Sequence, residues 1–295
     1  MPEFDLLIVK DLRHLLESLA LRPDSRIVAG ATDFVPLVGA GKLKPSQAVD
    51  ISRLEELRGI DNKDGWLRIG ALTTHEEAAV SPLVRRSATA LAEACLSVAD
   101  PHIRGRATLG GNLCTSSPAA DSVPAMLALG AELRLLSLGA ERRIPLASFL
   151  LGPGKTALCP GEMLAEIYLP LSQSGSGSAF IKLGRRRAMA ISVANAAAWL
   201  CLEKGTIADV RLAAGSVGPT VLRCAKAESA LRGRTLAELR SGARALGGEE
   251  WLGIVREDVS PIDDVRASGA YRKQVMAPLA QRVVEKAIER AEREE

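Results

Sequence analysis

Aromatic residues are scarce in this chain of 295 residues, at 3%, so its core must be mainly aliphatic and alanine-based. Hydrophobic residues still make up 47% and charged residues 25%, proportions typical of a globular protein. No uninterrupted apolar run approaches the roughly eighteen residues that suggest a membrane span, and the N-terminus lacks the basic segment of a signal peptide. We therefore expect a cytoplasmic protein that does not span a membrane.

Strong charge and metal-binding patterns are also missing. The net charge of +3 comes from scattered lysines and arginines, which argues against nucleic acid as a partner. The five cysteines include no Cys-x-x-Cys, and the three histidines form no pair at metal-ligand spacing. We predict buried free thiols and no metal or iron–sulfur site built by this chain alone. No catalytic triad or Cys-His pair can be singled out, so the catalytic residues are left unassigned.

Two segments containing glycine carry the most information. They are Val28-Ala29-Gly30-Ala31-Thr32-Asp33 and Thr108-Leu109-Gly110-Gly111-Asn112. Glycine permits close approach and a positive φ, and successive N–H groups in such a turn can surround an anion. Each segment alone could be a plain turn, but two of them suit a ligand with an internal pyrophosphate. The sequence therefore favours a dinucleotide.

The usual nucleotide-binding motifs do not fit. Gly39-Ala40-Gly41 begins like a Rossmann fingerprint, but Lys44 stands where the third glycine belongs. Gly154-Lys155-Thr156 ends like a P-loop, but Phe149 occupies the position of its first glycine. Neither NAD nor ATP binding of the common types is predicted.

The periodicity predicts an alternating chain with one linker. A βαβαβ-like opening is followed by a hairpin with its turn at 62–65, a helix over 83–98, an irregular loop over 99–120 and a helix over 121–130. Residues 172–178 are rich in serine and glycine and are expected to be a flexible linker. Beyond it we predict a strand around 180–183, an alanine-rich helix over 191–202, a strand over 207–215 and a helical remainder.

Residues 28–33, 103–121 and 127–131 resemble the FAD-binding medium subunit of the molybdenum hydroxylase family, which includes carbon monoxide dehydrogenase and bacterial xanthine dehydrogenase. The resemblance covers nearly the whole chain. Its most specific part is Thr-x-Gly-Gly-Asn at 108–112 followed by Pro-Ala-Ala-Asp at 118–121. The chain departs from the family at Ala31, where a second glycine is usual, and at Met189-Ala190-Ile191, which lacks the usual aspartate.

The resemblance implies an α+β fold in which a two-subdomain FAD-binding fold of the vanillyl-alcohol-oxidase (PCMH) type precedes an α+β C-terminal domain. The expected bounds are 1–172 for the FAD-binding domain, with subdomains of about 1–56 and 57–172, and 178–292 for the C-terminal domain. Asp121 matches an acidic residue near the adenosine, Leu164 an apolar contact, and Lys182 a lysine on the flavin side. The implied FAD-binding residues are Val28, Ala29, Gly30, Ala31, Thr32, Asp33, Thr108, Gly110, Gly111, Asn112, Asp121, Leu164 and Lys182.

By the same resemblance, the chain is an FAD-binding electron-transfer subunit, an oxidoreductase component. Its implied partners are a large subunit with a molybdenum cofactor and a small subunit with [2Fe–2S] clusters. Electrons pass from those clusters through FAD to an external acceptor: NAD, quinone, ferredoxin or oxygen. Two alternatives stay open, a free-standing FAD-dependent oxidoreductase acting on a small molecule and a cofactor-free assembly protein with this fold.

Overall fold

The computed structural model describes residues 3–186, 188–241, 246 and 248–294. The N-terminal part forms a small parallel sheet in the order β1-β3-β2, with helices in its crossovers. Asp11 caps the first helix by accepting a hydrogen bond from the His14 N–H. The predicted βαβαβ opening is confirmed. Its elements are β1 (Asp5–Ile8), α1 (Leu12–Leu21), β2 (Arg26–Val28), α2 (Phe34–Gly39) and β3 (Gln47–Asp50).

A five-stranded antiparallel sheet follows, in the order β4-β5-β10-β6-β7. The predicted hairpin at its start is confirmed, and both turn residues, Asp64 and Gly65, have a positive φ. The strands of this sheet are β4 (Ile60–Lys63), β5 (Trp66–Gly70), β6 (Glu132–Ser137), β7 (Ala140–Pro145) and β10 (Met163–Pro170). Between β7 and β10 lie α9 (Leu146–Phe149), β8 (Leu150–Gly152) and β9 (Lys155–Thr156).

The helices between β5 and β6 are more numerous than predicted. The prediction of a single helix over 83–98 is wrong, because Ala88 interrupts the helical conformation and separates two helices. The loop over 99–120 is also wrong, since Asp100 and Thr108 each cap a short helix too brief to show periodicity. The elements are α3 (His75–Val80), α4 (Pro82–Ser87), α5 (Thr89–Leu96), α6 (Pro101–Arg104), α7 (Leu109–Thr115) and α8 (Ser122–Ala128).

The C-terminal part is a four-stranded antiparallel sheet, β11-β12-β13-β14, covered by helices. Its strands are β11 (Ser176–Gly184), β12 (Ser192–Glu203), β13 (Thr206–Gly215) and β14 (Leu222–Arg223). Its helices are α10 (Ala225–Leu231), α11 (Leu236–Arg240), α12 (Glu249–Asp258) and α13 (Gly269–Glu294). In the part of the chain that the structure describes, no helix is both long and apolar enough to cross a membrane.

Two expectations about this region are wrong. The flexible linker is shorter than predicted, because residues 176–178 already belong to β11 and are buried. Gly177 packs closely against α13, since a Cβ at this position would lie 2.1 Å from the Ala287 carbonyl oxygen. The alanine-rich helix is strand β12. Pairing with β11 and β13 outweighs alanine's helix propensity there, and the small side chains let helices pack closely on both faces of the strand.

The two faces of β12 belong to different cores. Ala194, Ala196 and Ala198 pack with the helices of the C-terminal part. Ala197 and the partly buried Trp199 face the other way, into the core that includes α5 and α8. Both sides of the strand are therefore buried, and its second face joins the C-terminal sheet to the preceding part of the chain.

A polar contact strengthens the same junction. Glu93 on α5 accepts hydrogen bonds from Lys286 Nζ at 2.6 Å and from Arg290 Nη2 at 2.6 Å, both on α13. Its carboxylate also accepts the Phe180 backbone N–H at 2.9 Å. These charge-assisted bonds fix α13 and β11 against α5.

Candidate functional site

A cavity of about 660 Å³ lies where the parallel sheet meets the five-stranded sheet. One wall follows β2 and the start of α2, and the opposite wall combines the start of α7 with the segment leading into β10. Both predicted glycine segments line it. The lining consists chiefly of residues 25–34, 71–72, 107–108, 110–112, 114–115 and 158–164.

The segment that follows β2 presents free backbone donors to the cavity. Within the residues described, the N–H groups of Gly30, Ala31, Thr32 and Asp33 have no protein acceptor. Ala31 has a φ of 61°, the left-handed conformation that allows neighbouring N–H groups to converge. This segment can therefore bind an anion through its backbone. Asp33 fixes its end by accepting a hydrogen bond from Thr115 Oγ1 at 3.1 Å.

Gly30 allows the two walls to approach each other. A Cβ at this position would lie 1.9 Å from the carbonyl oxygen of Arg106, well inside van der Waals contact. The requirement for glycine here comes from packing of one backbone against another. The same holds for Gly110, where a Cβ would lie 2.7 Å from Ala71.

The segment 108–112 differs from the prediction. Thr108 is the N-cap of α7, and its Oγ1 accepts the Gly111 N–H at 3.0 Å. The Gly110 N–H donates to the Ala71 carbonyl and the Asn112 N–H to the Thr108 carbonyl. Neither glycine has a positive φ. The predicted anion site made of Gly110 and Gly111 N–H groups is therefore wrong, although both glycines line the cavity.

The structure brings together most of the residues that the sequence suggested for a cofactor. All six residues of 28–33 line the cavity, as do Thr108, Gly110, Gly111, Asn112 and, on β10, Leu164. Asp121 and Lys182 are not part of this lining. They are linked to it through Ser122, whose Oγ donates to Asn112 Oδ1 at 2.7 Å and which follows Asp121 directly.

Asp121 and Lys182 form a buried ion pair. Lys182 Nζ lies 2.5 Å from Asp121 Oδ2, and the two side chains are only 13% and 9% exposed. The resemblance implied that Asp121 lies near the adenosine and Lys182 near the flavin. Those roles are incompatible for an extended dinucleotide, because side chains in contact cannot serve its opposite ends.

A polar cluster around Glu162 on the cavity wall was not predicted. Glu162 receives two hydrogen bonds from Arg142, from Nε at 2.8 Å and Nη2 at 2.7 Å, and one from the Cys159 N–H at 2.7 Å. The guanidinium outweighs the effect of burial and lowers the pKa of Glu162. This cluster fixes the segment before β10.

Two cysteines depart from the expectation of buried thiols. Cys114 and Cys159 are exposed and line the cavity, whereas Cys95, Cys201 and Cys224 are buried. No disulfide links the five. Among the described residues, no group of three or more His, Cys, Asp or Glu side chains is arranged to hold a metal ion.

The histidines do not contribute a general base to this cavity. His102 is exposed on α6 and His75 is buried at the start of α3, and neither lines the cavity. Burial first, and the nearby Arg104 second, lower the pKa of His75 to about 4. The cavity offers backbone donors, hydroxyl and amide groups, apolar side chains and the charged residues Arg26, Asp33 and Glu162, a set that can hold a ligand.

Family models match both parts of the chain. Residues 2–172 match the FAD binding domain in molybdopterin dehydrogenase, and residues 179–287 match the CO dehydrogenase flavoprotein C-terminal domain. A solved structure of carbon monoxide dehydrogenase from Hydrogenophaga pseudoflava, lacking the Mo-pyranopterin moiety of its molybdenum cofactor, superposes with a TM-score of 0.90 and 28% identity. The match covers 97% of each chain.

Curated relatives are similar over almost their whole length. The 6-hydroxypseudooxynicotine dehydrogenase complex subunit alpha of Paenarthrobacter nicotinovorans is 34% identical over 292 residues, 98% of this chain and 96% of the relative. The xanthine dehydrogenase FAD-binding subunit of Escherichia coli O157:H7 is 34% identical over 279 residues, 94% of this chain and 93% of the relative.

Proposed function

Because this chain belongs to the family of FAD-binding subunits of molybdopterin dehydrogenases, we propose that it carries electrons from the [2Fe–2S] clusters of a partner subunit, through FAD, to an external acceptor. The expected fold class, the cofactor FAD and the oxidoreductase assignment follow from the family. The proposal adds the direction of electron flow, the partners and the residues that hold the cofactor. The partners are a molybdenum-containing large subunit and an iron–sulfur small subunit.

The cavity between the two sheets is the proposed FAD site, and the free N–H groups of 30–33 are the observation that supports it most. A pyrophosphate carries negative charge, and the four free backbone donors of this segment can bind it, with Arg26 as a cationic residue in the same cavity lining. Thr32, Thr108 and Asn112 add polar side chains, and Leu164 adds an apolar surface. This donor set fits FAD.

The chain's own residues bind and orient the cofactor. When bound, FAD supplies a two-electron carrier that can receive and deliver electrons. Residues 28–33 and Asn112 hold the phosphate part, and Asp121 and Lys182 lie beyond Asn112, next to the C-terminal sheet. We propose that Asp121 and Lys182 both lie on the flavin side of the bound cofactor. We also propose the domain bounds 1–172, with subdomains of about 1–56 and 57–172, and 178–292.

The site assignment is tested with a pair of glycine variants. Gly30→Ala introduces a Cβ 1.9 Å from the Arg106 carbonyl and must push the walls of the cavity apart, whereas Gly39→Ala on α2 meets no atom within 4 Å. We expect the wild type and Gly39→Ala to retain one FAD per chain after desalting, by absorbance near 450 nm, and Gly30→Ala to lose it. Equal retention by both variants would refute the placement.

Electron flow is tested in the assembled complex with and without FAD. If the chain connects the clusters to the acceptor, the FAD-free complex should still reduce its clusters with substrate but should fail to reduce the acceptor. Adding FAD should restore acceptor reduction. Steady turnover of a small molecule by the isolated, FAD-loaded chain would instead support a free-standing oxidoreductase.

The proposed compartment is the cytoplasm. The exposed Cys114 and Cys159 are free thiols. Free exposed thiols persist in reducing compartments, where disulfides are rare.

A further inference from the structure

The Asp121–Lys182 pair joins distant parts of the chain at the boundary between the FAD-binding part and the C-terminal sheet. Asp121 precedes α8, and Lys182 lies on β11. Their charged atoms are 2.5 Å apart, and Lys182 also donates to the Ser97 carbonyl at 2.9 Å. A lysine held in this way presents a charge that is largely compensated by its partner.

Two further residues fix the carboxylate of Asp121. Ser192 Oγ donates to Asp121 Oδ1 at 2.5 Å, and Asn195 Nδ2 donates to the same oxygen at 2.8 Å. Both residues lie on β12 and are fully buried. Asp121 therefore has one oxygen committed to β12 and the other to Lys182.

The backbone of β13 limits the position of Asn195. A Cβ on Gly215 would lie 2.1 Å from Asn195 Oδ1, so a larger residue at position 215 would collide with the Asn195 amide. No described residue donates a hydrogen bond to that oxygen. The amide is placed by packing, with its NH₂ group directed at Asp121.

We propose that Asp121 is the fixed counter-ion of Lys182 and that Ser192 and Asn195 are its positioning residues, so that the ion pair as a unit sets the reduction potential of the bound flavin. The inference rests on the proposed function, which places the flavin beside Lys182. An uncompensated lysine would stabilise the reduced, anionic flavin and raise its potential. The compensated pair, nearly neutral as a whole, leaves the potential lower than a lysine alone would.

The test measures the midpoint potential of FAD in the full chain by spectroelectrochemistry. Asp121→Asn leaves Lys182 uncompensated, and we expect at least a tenfold increase in the ratio of affinities for reduced over oxidised FAD, which is about 30 mV upward for a two-electron couple. Lys182→Met leaves the carboxylate alone and should lower the potential. The double variant removes both charges, so its potential should return close to the wild-type value.

Positioning is tested with Ser192→Ala, which should shift the potential in the same direction as Asp121→Asn and by less. Restoring the hydroxyl with Ser192→Thr should reverse that shift. Lys226→Met serves as the charge-matched control, because Lys226 pairs with Glu257 on the exposed surface. The potential of FAD in this variant should equal the wild-type value. Equal potentials in all variants would overturn the proposal.

Flavin content separates this inference from the proposed function. If the wild type binds no FAD, the proposed function fails; if it binds FAD and the potentials do not move, only the counter-ion role fails. If Asp121→Asn loses FAD, the test depends on Lys182→Met alone. A lowered potential of FAD in that variant supports the counter-ion role of Asp121, and an unchanged potential contradicts it. Loss of FAD by both variants would also overturn the proposal, because the pair would then hold the cofactor rather than tune it.

Discussion

Replacing Ala31 by glycine should stabilise the protein. The left-handed backbone at φ 61° costs a residue with a Cβ roughly 1–2 kcal/mol, a cost that glycine does not have. Glycine in turn loses about 0.5–1 kcal/mol more conformational entropy on folding. The difference is a gain of about 0–1.5 kcal/mol in the free energy of unfolding, measurable by urea denaturation. Because the strain exists without ligand, the gain should appear in stability rather than in FAD affinity.

Ala29→Gly is the matched control for this prediction. Ala29 lines the same cavity two residues earlier but has no positive φ, so glycine there should destabilise the fold by about 0.5–1 kcal/mol. Ala31→Val should be destabilising, since a β-branched residue strongly disfavours a positive φ. If Ala31→Gly and Ala29→Gly both destabilise the protein to a similar extent, the left-handed conformation of Ala31 is refuted.

Three further predictions concern protonation and thiol access. The pKa of His75, lowered to about 4 by burial, lies below the value of about 6.5 in an unfolded chain, so the unfolded state binds the proton first. Stability should therefore fall by roughly 3 kcal/mol between pH 6.5 and 4, and His75→Leu should remove this slope in urea titrations. Burial tends to raise the pKa of Glu93, but hydrogen bonds from Arg290 and Lys286 outweigh it and lower that pKa. The stabilisation from this carboxylate should therefore be present above about pH 4.3 and disappear as the pH falls further, and Glu93→Gln should lower the free energy of unfolding at pH 7 by about 1–3 kcal/mol. A thiol reagent should modify the exposed Cys159 before the three buried cysteines, and FAD should protect Cys159 because it lines the cavity; equal labelling with and without FAD would contradict the site.

Local signals in the sequence were sufficient for several elements. The hairpin turn at 62–65 is visible because Asp64 and Gly65 tolerate the positive φ that the turn requires. The helix predicted over 121–130 is confirmed as α8, and Gly130, with a φ of 76°, follows its end. Both glycine segments line one cavity, as their shared character suggested.

Tertiary packing decided the features that the sequence did not reveal. β12 has a composition typical of a helix, and only its burial between two layers explains the alanines. The same misassignment concealed Ser192 and Asn195, whose contacts with Asp121 depend on the strand register. The N–H groups of 108–112 could not be assigned either, because their acceptors include Ala71, which is far away in the sequence.

Strand β12 also limits how the gene for this protein can be divided. One face of the strand completes the core beneath α13, and Ala197 on its other face completes the core beside α8. If the coding sequence were divided near residue 175, each of the two polypeptides would expose an apolar surface that the other covers in the intact protein. The two parts are expected to be inherited, expressed and folded together, and exchange of the C-terminal part between relatives should succeed only when the residues facing β12 are exchanged with it.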